Sequence, residues 1–399
     1  MLQAWQNTKG NKLSTPRQPT VERMRWTPYR VPLHGSFSSA HERLVTRAGI
    51  IVELHTSSGT VGIGECAPLP EFSGGTLQDV MDCLPLVAPR LQGLVLSDAL
   101  ALLDQLQDTL PTAARCGLET AVLDALGQHY QCSLTTLLAL PDLIEPPSTQ
   151  DLERAASQVR TSVPVNTVIG AQDVAAAVAQ ARQAVAQGFT CIKLKVGPQL
   201  RQTVELLTAV RAALGPSIHL RLDANESWDF ELARSILSSC EFWSIQYVEQ
   251  PLPRTDLAGM AALRRVVPIS IAADEVLSDL ASARRVLARN AAGIFVIKPQ
   301  LAGGPRQSQR MVREATAHGV RCVITSTIET GIGVVMALHL AAAMPEITLE
   351  CGLATLPLLT DDLIQEALPI QNGHMEPPAT PGLGIHLDQA TLARYAGSH

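Results

Sequence analysis

Lysine is scarce in this chain, and its positions indicate proton-transfer chemistry. Only five of the 31 basic residues are lysines, and the other 26 are arginines. Lys9 and Lys12 stand in a polar N-terminal stretch, whereas Lys193, Lys195 and Lys298 stand at the ends of predicted strands. An ammonium group can lose its proton when it is desolvated or lies near another cation, whereas a guanidinium group cannot. We therefore interpret the latter three lysines as candidates for acid–base catalysis.

Carboxylate side chains follow the same pattern at three further apolar segments. Asp223, Glu249 and Asp274 each stand at the end of a predicted strand, and successive charged positions from Lys195 to Lys298 are 24 to 28 residues apart. That spacing corresponds to one strand–helix unit, and parallel strands bring their carboxyl ends to the same mouth of a barrel. We therefore expect all five groups to converge on one site.

Three convergent carboxylates favour a bound cation, because they would otherwise repel one another and raise one another's pKa. Oxygen ligands alone indicate Mg²⁺, with Mn²⁺ also possible, rather than zinc. Such a site suits a small-molecule carboxylate substrate, from which Lys195 removes the α-proton while the metal and Lys298 stabilise the enediolate. Lys193 precedes Lys195 by two residues and shares its face, so we expect its charge to lower the pKa of Lys195.

Three further polar residues flank this set. Glu275 directly follows Asp274, and we expect it to support the site by accepting a hydrogen bond from a lysine. Arg221 precedes Asp223 by two residues, so it either contacts the substrate in the same lumen or forms an inward salt bridge. Asn225, just beyond the same strand, is a further candidate for substrate binding.

A repeating pattern of strands and helices must position these residues. Apolar strand-like segments alternate with helical ones, and short loops join them. This alternation favours a parallel sheet with right-handed crossovers, and eight strands over roughly 200 residues fit an α/β barrel of the TIM type. The eight predicted strands are Val163–Val168, Thr190–Val196, Ile218–Leu222, Ile245–Glu249, Ile269–Ala273, Gly293–Ile297, Arg321–Thr325 and Ile347–Glu350.

The pattern divides the chain into four parts. Residues 1–20 are polar, and we expect them to be disordered. Residues 21–140 begin as alternating strands and continue as helices, which indicates an α+β domain. Residues 141–365 hold the predicted barrel and its active site, whereas residues 366–399 have no periodic unit and could pack back on the first domain.

Bulk composition argues against several classes of protein. The net charge is −6 and no run of basic residues occurs, which argues against nucleic acid as a partner. No apolar stretch reaches transmembrane length, and the N-terminus has no apolar signal core. The eight cysteines form no CxxC pair, which indicates free thiols in a reducing compartment. We expect a cytoplasmic enzyme, monomeric or homo-oligomeric, with no membrane partner.

This order of lysines and carboxylates resembles the enolase superfamily, in particular the subgroup like muconate cycloisomerase. The resemblance covers about residues 21–370. It implies an α+β capping domain over a (β/α)₇β barrel, with Mg²⁺ as the cofactor. The residues that correspond to the family's Mg²⁺ ligands are Asp223, Glu249 and Asp274, and those that correspond to its lysines are Lys193, Lys195 and Lys298.

Within that subgroup, segments of the first domain are similar to o-succinylbenzoate synthase of menaquinone and phylloquinone biosynthesis. These segments are Arg47-Ala48-Gly49, Gly64-Glu65-Cys66-Ala67-Pro68-Leu69-Pro70 and Phe72-Ser73. The resemblance implies that the Pro-rich segment is a capping loop near the substrate, which makes Phe72 a candidate contact. It also implies that Ser326, Thr327 and Gly352 contact a succinyl arm.

The activity that this resemblance implies is the dehydration of 2-succinyl-6-hydroxy-2,4-cyclohexadiene-1-carboxylate to 2-succinylbenzoate. Lys195 would take the α-proton and then protonate the departing hydroxide on the same face. An N-acylamino acid racemase, a dipeptide epimerase or a muconate-type cycloisomerase is the alternative. A racemase would need Lys298 as a second proton carrier, and the Asp-x-Asp pair of dipeptide epimerases is absent from the eighth predicted strand. A barrel that only binds a ligand would not need all three carboxylates and all three lysines.

Overall fold

The N-terminal part of the chain is an antiparallel sheet covered by helices. The computed structural model describes residues 18–38, 43–72, 75–143, 145–171 and 173–396. The sheet has three strands in the order β1-β2-β3. They are β1 (Val21–Ser38), β2 (Arg43–Thr56) and β3 (Val61–Cys66). Most of the tail that we expect to be disordered, up to residue 17, lies outside the described residues.

Helices pack on one face of this sheet. They are α1 (Leu77–Leu91), α2 (Leu96–Gln105) and α3 (Thr112–Tyr130), and α4 (Leu134–Leu138) and α5 (Thr149–Gln158) follow. The contact between α3 and β3 requires glycine, because a Cβ atom at Gly62 or Gly64 would lie 2.0 Å from a backbone carbonyl oxygen of α3. This close packing fixes the end of β3, from which the chain continues as the Pro-rich segment.

The second part of the chain is a curled parallel sheet of seven strands in the order β11-β10-β9-β8-β7-β6-β5. The strands from β4 onward are β4 (Val163–Pro164), β5 (Thr167–Ile169), β6 (Cys191–Lys195), β7 (His219–Asp223), β8 (Ile245–Glu249), β9 (Ser270–Ala273), β10 (Ile294–Ile297) and β11 (Arg321–Ile324). Neighbouring strands follow the chain order, which confirms the prediction of a parallel α/β sheet built from sequential units.

A helix or a pair of helices follows each strand from β5 onward. These helices are α6 (Val174–Ala186), α7 (Leu200–Leu214), α8 (Phe230–Ser239), α9 (Leu257–Val266), α10 (Leu280–Ala288), α11 (Pro299–Ala302), α12 (Pro305–Ala317) and α13 (Gly331–Ala343). Local signals explain where several begin. Asp173, Asp229 and Asp256, for example, each accept a hydrogen bond from a backbone N–H in the first turn of α6, α8 and α9.

The bounds of the first and eighth predicted strands differ from the structure. Ile347–Glu350 is not paired as a strand, and the backbone bends at Leu349. The next two residues are paired instead: Cys351 forms a parallel bridge to Val165, and Gly352 forms one to Thr325. The predicted first strand is split as well, and its first half, β4, pairs instead with β12 (His374–Met375).

The C-terminal residues lie against both parts of the molecule. Besides the pairing of β12 with β4, Ala396 forms an antiparallel bridge to Tyr29 just after α14 (Gln389–Tyr395). The Leu383 N–H donates a hydrogen bond of 2.7 Å to Asp124 Oδ1 in α3. These contacts hold the end of the chain beside the N-terminal sheet.

Two predictions from composition can be compared with the structure. All eight cysteines are free, and six of them are buried, which confirms the absence of disulfide bonds. Across the described ranges, none of the helices combines the length and the apolar character that crossing a membrane requires.

Candidate active site

Lys195, Asp223 and Glu249 lie side by side at the ends of three neighbouring strands. Lys195 is in register with Asp223 across β6 and β7, and Asp223 is in register with Glu249 across β7 and β8. Asp274 directly follows β9, and Lys298 directly follows β10. The parallel register therefore brings together groups that are far apart in sequence, at the edge where α/β sheets place their functional residues.

The ends of these strands line a cavity of 870 Å³. Its charged lining residues are Lys193, Lys195, Lys298, Asp223, Glu249 and Asp274. In the part of the chain that the structure describes, no other charged side chain lines it. The predicted substrate contacts Phe72, Asn225, Ser326, Thr327 and Gly352 line the cavity as well. The positive and negative charges of the lining are thus equal in number.

Two of the lysines are paired with the carboxylates. Lys193 Nζ lies 2.9 Å from Glu249 Oε1 and 3.1 Å from Asp223 Oδ2. Lys298 Nζ donates a hydrogen bond of 2.6 Å to Asp274 Oδ2. Burial alone would lower the pKa of both ammonium groups, but the negative charges beside them outweigh burial and raise the pKa of each. Both lysines are therefore held in the charged form.

Lys195 differs from the other two lysines in its electrostatic environment. Burial lowers its pKa most, and the positive charges of Lys193 and Lys298 lower it further against the opposing charge of Asp223. The charge of Lys193 thus acts in the direction expected from the sequence, although burial contributes more. A lysine with a lowered pKa can act as a base closer to neutral pH.

The pKa values of the carboxylates depend on burial and on the charges around them. Burial raises the pKa of Glu249, and the charges of Asp223 and Asp274 raise it further, so that it lies well above the usual range despite Lys193. For Asp223, the charges of Lys193 and Lys195 outweigh burial and hold the pKa below its usual value. Burial is therefore the main cause of the raised pKa of Glu249, and the neighbouring carboxylates add to it.

The Pro-rich segment after β3 reaches this cluster. Pro70–Phe72 forms a short 3₁₀ turn. The Phe72 ring centre lies 4.5 Å from Lys298 Nζ, which is within the range of a cation–π contact. Ser73 of the same segment lies outside the described residues. A residue of the N-terminal part thus contacts a charged group at the end of β10.

Arg221 does not line the cavity, and the structure favours the salt bridge over substrate binding. Arg221 is in register with Lys193, so it lies one layer deeper in the sheet than Asp223. Its Nη2 lies 2.6 Å from Glu350 Oε2, and its guanidinium stacks on Tyr247 at 4.8 Å from the ring centre. Its Nε also donates a hydrogen bond to Gln246 Oε1, and its Nη1 donates to the Glu350 carbonyl oxygen. Because these acceptors use its donors, the predicted contact of Arg221 with the substrate is corrected to a structural ion pair.

Glu275 supports the site differently from the prediction. Its Oε1 accepts a hydrogen bond of 3.0 Å from Asn225 Nδ2 rather than from a lysine. Its Oε2 is buried and accepts none in the described structure. Burial and the charge of Asp274 raise the pKa of Glu275 to about 8. Glu275 therefore orients the amide of Asn225, which lines the cavity.

The carboxylate cluster fits a hard divalent cation in its chemistry. Asp223, Glu249 and Asp274 are buried and offer only oxygen ligands. Asp274 Oδ1 lies 2.5 Å from Lys298 Nζ, so a positive charge already faces this carboxylate. Among the described residues, however, no three His, Cys, Asp or Glu side chains are already arranged to hold a metal ion. Lys193 explains the difference, because its Nζ lies between Asp223 and Glu249. A cation would require the ammonium group to move aside.

Sequence reasoning missed several residues of the cavity wall. Thr355 lines the cavity, and its hydroxyl lies 2.6 Å from Ser326 Oγ. Thr327 Oγ1 donates a hydrogen bond of 2.6 Å to Glu329 Oε1, so its proton is already used. Asn166 lines the cavity between β4 and β5. Thr355 is the first polar residue after Gly352, which was the available signal for it, whereas no local pattern marks Glu329.

Comparison with known proteins gives matches over nearly the whole chain. Muconate cycloisomerase 1 of Pseudomonas putida is 28% identical over 92% of this chain and 94% of its own length. The o-succinylbenzoate synthase of Thermobifida fusca is 37% identical, but over 53% of this chain and 65% of its own length. The crystal structure of a dipeptide epimerase from Enterococcus faecalis, complexed with Mg and the dipeptide L-Leu-L-Tyr, superposes with a TM-score of 0.83 at 25% identity. That match covers 92% of this chain and 98% of the epimerase.

Two family models match separate parts of the chain. The model described as the MenC N-terminal domain matches residues 22–91, which include the three-stranded sheet and the Pro-rich segment. The model described as enolase C-terminal domain-like matches residues 176–391, more than half of the chain, which include all six charged residues of the cavity. On the strength of these matches, the chain belongs to the enolase superfamily.

Proposed function

We propose that this protein is an o-succinylbenzoate synthase that serves menaquinone or phylloquinone biosynthesis. It would remove water from 2-succinyl-6-hydroxy-2,4-cyclohexadiene-1-carboxylate and release 2-succinylbenzoate. We further infer that the N-terminal sheet and its helices are a capping domain, that the parallel sheet is a (β/α)₇β barrel, and that the substrate binds between them. The MenC N-terminal match and the o-succinylbenzoate synthase relative support this assignment.

The observation that carries the proposal is the unequal environment of the two lysines. Lys298 is hydrogen-bonded to Asp274 and contacts the face of Phe72, and both contacts stabilise its charged form. For Lys195, burial and the charges of two other lysines outweigh the charges of Asp223 and Glu249, so its pKa is lowered. One base and one permanent cation are sufficient for a syn dehydration. A racemase needs two lysines that both exchange protons.

In the proposed reaction, Lys195 carries out both proton transfers. Its neutral Nζ takes the α-proton of the substrate, and the electron pair of the C–H bond moves into the carboxylate to form an enediolate. The C–O bond then breaks, the hydroxide takes the same proton from Lys195, and water leaves as the ring becomes aromatic. Throughout, the charge of Lys298 stabilises the enediolate and transfers no proton.

The carboxylate cluster would hold the metal cofactor. Asp223, Glu249 and Asp274 are the residues that we infer as ligands of Mg²⁺, with Mn²⁺ as a substitute. When bound, Mg²⁺ supplies Lewis-acid stabilisation of the negative charge that develops on the substrate carboxylate. The raised pKa of Glu249 supports this inference, since buried carboxylates at close range require positive charge.

The lysines of the cavity favour an anionic substrate. Three lysines line the cavity, and Lys193 and Lys298 are held in the charged form. The proposed substrate is a dicarboxylate. A dipeptide would need an additional acidic group for its ammonium, and the described lining residues include none beyond the three carboxylates.

Hydroxyl groups at the other side of the cavity suit the succinyl arm. Ser326 and Thr355 share one hydrogen bond, so one of the two hydroxyls retains a proton to donate to a ligand. Thr327 can only accept there, because its own proton goes to Glu329. We infer that Ser326 and Thr355 bind the succinyl arm, with Gly352 beside them in the cavity lining.

A muconate-type cycloisomerase is the second candidate. The muconate cycloisomerase relative covers 92% of this chain, and muconate is also a dicarboxylate. Lactone formation, like dehydration, needs one proton-transferring lysine. The charged lysines of the cavity therefore suit the anionic substrates of both candidates.

A direct assay distinguishes the two. The purified protein is supplied with Mg²⁺ and either the cyclohexadiene carboxylate or cis,cis-muconate, and products are followed by absorbance against a Lys195→Ala control. We expect formation of 2-succinylbenzoate well above the uncatalysed rate and no turnover of muconate. Turnover of muconate alone would replace the synthase with the cycloisomerase.

A further inference from the structure

The turn after β11 holds Ile328 in the left-handed backbone conformation. Its φ is 64°, and it is the one β-branched residue among the described non-glycine residues with positive φ. Branching at Cβ makes this conformation especially unfavourable, so surrounding contacts must hold it. Ile328 also lines the cavity. The strained residue thus forms part of the wall against which a substrate would lie.

Two residues of the N-terminal sheet hold this turn in place. Arg47 in β2 donates a hydrogen bond of 3.2 Å from Nε to the Ile328 carbonyl oxygen. Glu65 in β3 accepts hydrogen bonds from the Thr330 N–H at 3.0 Å and from the Thr330 hydroxyl at 2.7 Å. Both contacts join residues more than 250 positions apart in sequence. The N-terminal sheet therefore fixes the turn at Ile328 itself and again two residues later, at Thr330.

The same guanidinium also holds the Pro-rich segment. Arg47 Nη1 donates a hydrogen bond of 2.8 Å to the Pro68 carbonyl oxygen, and Nη2 donates to the Ala67 carbonyl oxygen. Leu69, which follows directly, lines the cavity. Arg47 is 2% exposed, so these hydrogen bonds are not shared with bulk solvent. The Arg47 side chain thus connects two segments that form parts of the cavity wall, the Pro-rich segment and the turn after β11.

We propose that Arg47 is a positioning residue that fixes the substrate-binding wall by holding Ile328 in its strained conformation. Only a guanidinium has enough donors in a planar fork to reach the carbonyl groups of both segments, whereas a lysine has one nitrogen. Arg47 touches no reacting group and acts through Ile328 and the Pro-rich segment. This proposal concerns the same site as the proposed function. It depends on that function only in the experiments that measure turnover.

A purely structural role for Arg47 predicts different kinetics. If Arg47 only tied the two parts of the molecule together, Arg47→Lys would lower stability and the fraction of active protein, with an unchanged KM. If it positions the wall, Arg47→Lys raises KM for the cyclohexadiene carboxylate by about tenfold or more, with kcat changed by less than about threefold. Circular dichroism and the thermal midpoint establish that the variant is folded.

Substitutions at position 328 separate the backbone effect from the loss of the side chain. Ile328→Ala and Ile328→Gly both remove the side chain beyond Cβ, but only glycine adopts positive φ without strain. With Arg47 present, we expect the two variants to have KM values within about twofold, because Arg47 imposes the same turn on both. In the Arg47→Lys background, the glycine variant should keep a KM at least about fivefold below that of the alanine variant.

Thermal unfolding of the same four variants needs no substrate. Replacing alanine with glycine at position 328 should raise the thermal midpoint when Arg47 is present, because it relieves strain. The gain should be smaller in the Arg47→Lys background, where the turn can relax. If wild type turns over neither substrate, the proposed function fails, and this comparison alone decides the role of Arg47. Equal midpoint gains in the two backgrounds, or an Arg47→Lys variant with unchanged KM, would overturn the proposal.

Discussion

The ammonium nitrogen of Lys298 lies 4.5 Å from the centre of the Phe72 ring. Phe72 belongs to the segment that follows the N-terminal sheet, and Lys298 directly follows β10 of the parallel sheet. The candidate site is therefore completed by contacts between the two parts of the molecule. Because an aromatic face stabilises an adjacent cation, Phe72 helps to keep Lys298 charged.

Removing the aromatic face should weaken catalysis without unfolding the protein. We expect Phe72→Leu to lower kcat/KM by about 2- to 30-fold, which corresponds to a cation–π contact of about 0.5–2 kcal/mol. Phe72→Tyr retains the ring face and serves as the matched control, with activity near that of wild type. Steady-state kinetics measure both, and a leucine variant as active as wild type would show that the contact has no catalytic effect.

Arginine substitutions should separate the two lysines. Arginine keeps the positive charge but cannot act as a base near neutral pH. We expect Lys195→Arg to lower kcat by at least about 10³-fold, as for the loss of a general base. Lys298→Arg should retain at least about tenfold more activity than Lys195→Arg, because its role is electrostatic. Single-turnover kinetics on the two folded variants provide the comparison, and equal losses would contradict the division of roles.

Chelation should abolish activity, and added Mg²⁺ or Mn²⁺ should restore it. Binding of the metal to the native state should also raise the thermal midpoint of the chelator-treated protein. Asp274→Asn should reduce that rise, whereas Asp98→Asn on the exposed face of α2 should not. Full activity in a metal-free sample, or a midpoint that Mg²⁺ leaves unchanged in wild type, would exclude the inferred metal site.

Acid stability should depend on His339 in α13. Its Nδ1 lies 2.6 Å from Thr135 Oγ1 and its Nε2 lies 3.0 Å from the Leu383 carbonyl oxygen, so the neutral ring is fully bonded. Burial lowers its pKa from 6.5 to about 4. Because the unfolded chain then binds the proton more readily, the free energy of unfolding should fall as pH drops from about 6.5 to about 4, by roughly 3 kcal/mol.

Urea denaturation across this pH range tests the role of His339. His339→Gln cannot take up a proton, so its unfolding free energy should fall less steeply than that of wild type between pH 6.5 and 4. His318→Gln, at an exposed position after α12, should follow wild type. Parallel pH profiles for wild type and the position-339 variant would contradict the assignment.

The order of the strands and the convergence of the charged residues were accessible from sequence, because both follow from a regular spacing. How deep a side chain lies within the sheet was not accessible from sequence. Arg221 shares a face with Asp223, yet its register with Lys193 places it one layer deeper, where Glu350 and Tyr247 surround it. Sequence spacing gives the face of a strand but not the partners that fill the interior.

Contacts between the two parts of the chain were also beyond sequence reasoning. Arg47 and Ile328 are 281 residues apart, and their hydrogen bond uses a backbone carbonyl group, which any residue type supplies. The bounds of the eighth predicted strand also depended on contacts with distant residues. The apolar residues Ile347–Glu350 fit a strand, but the backbone bends at Leu349, and Cys351 and Gly352 are the residues that pair with Val165 and Thr325.

Hydrogen exchange at the substrate α-carbon tests the assignment of Lys195 as the sole proton carrier most directly. Wild-type protein with Mg²⁺ is incubated in D₂O, in parallel, with an N-succinylamino acid and with the cyclohexadiene carboxylate, and both reactions are followed by NMR. We predict rapid formation of 2-succinylbenzoate and no racemisation of the amino acid, because a single proton carrier can exchange the α-proton only on its own face. Fast exchange with racemisation, and no dehydration, would show that Lys298 also transfers protons and would identify the protein as a racemase.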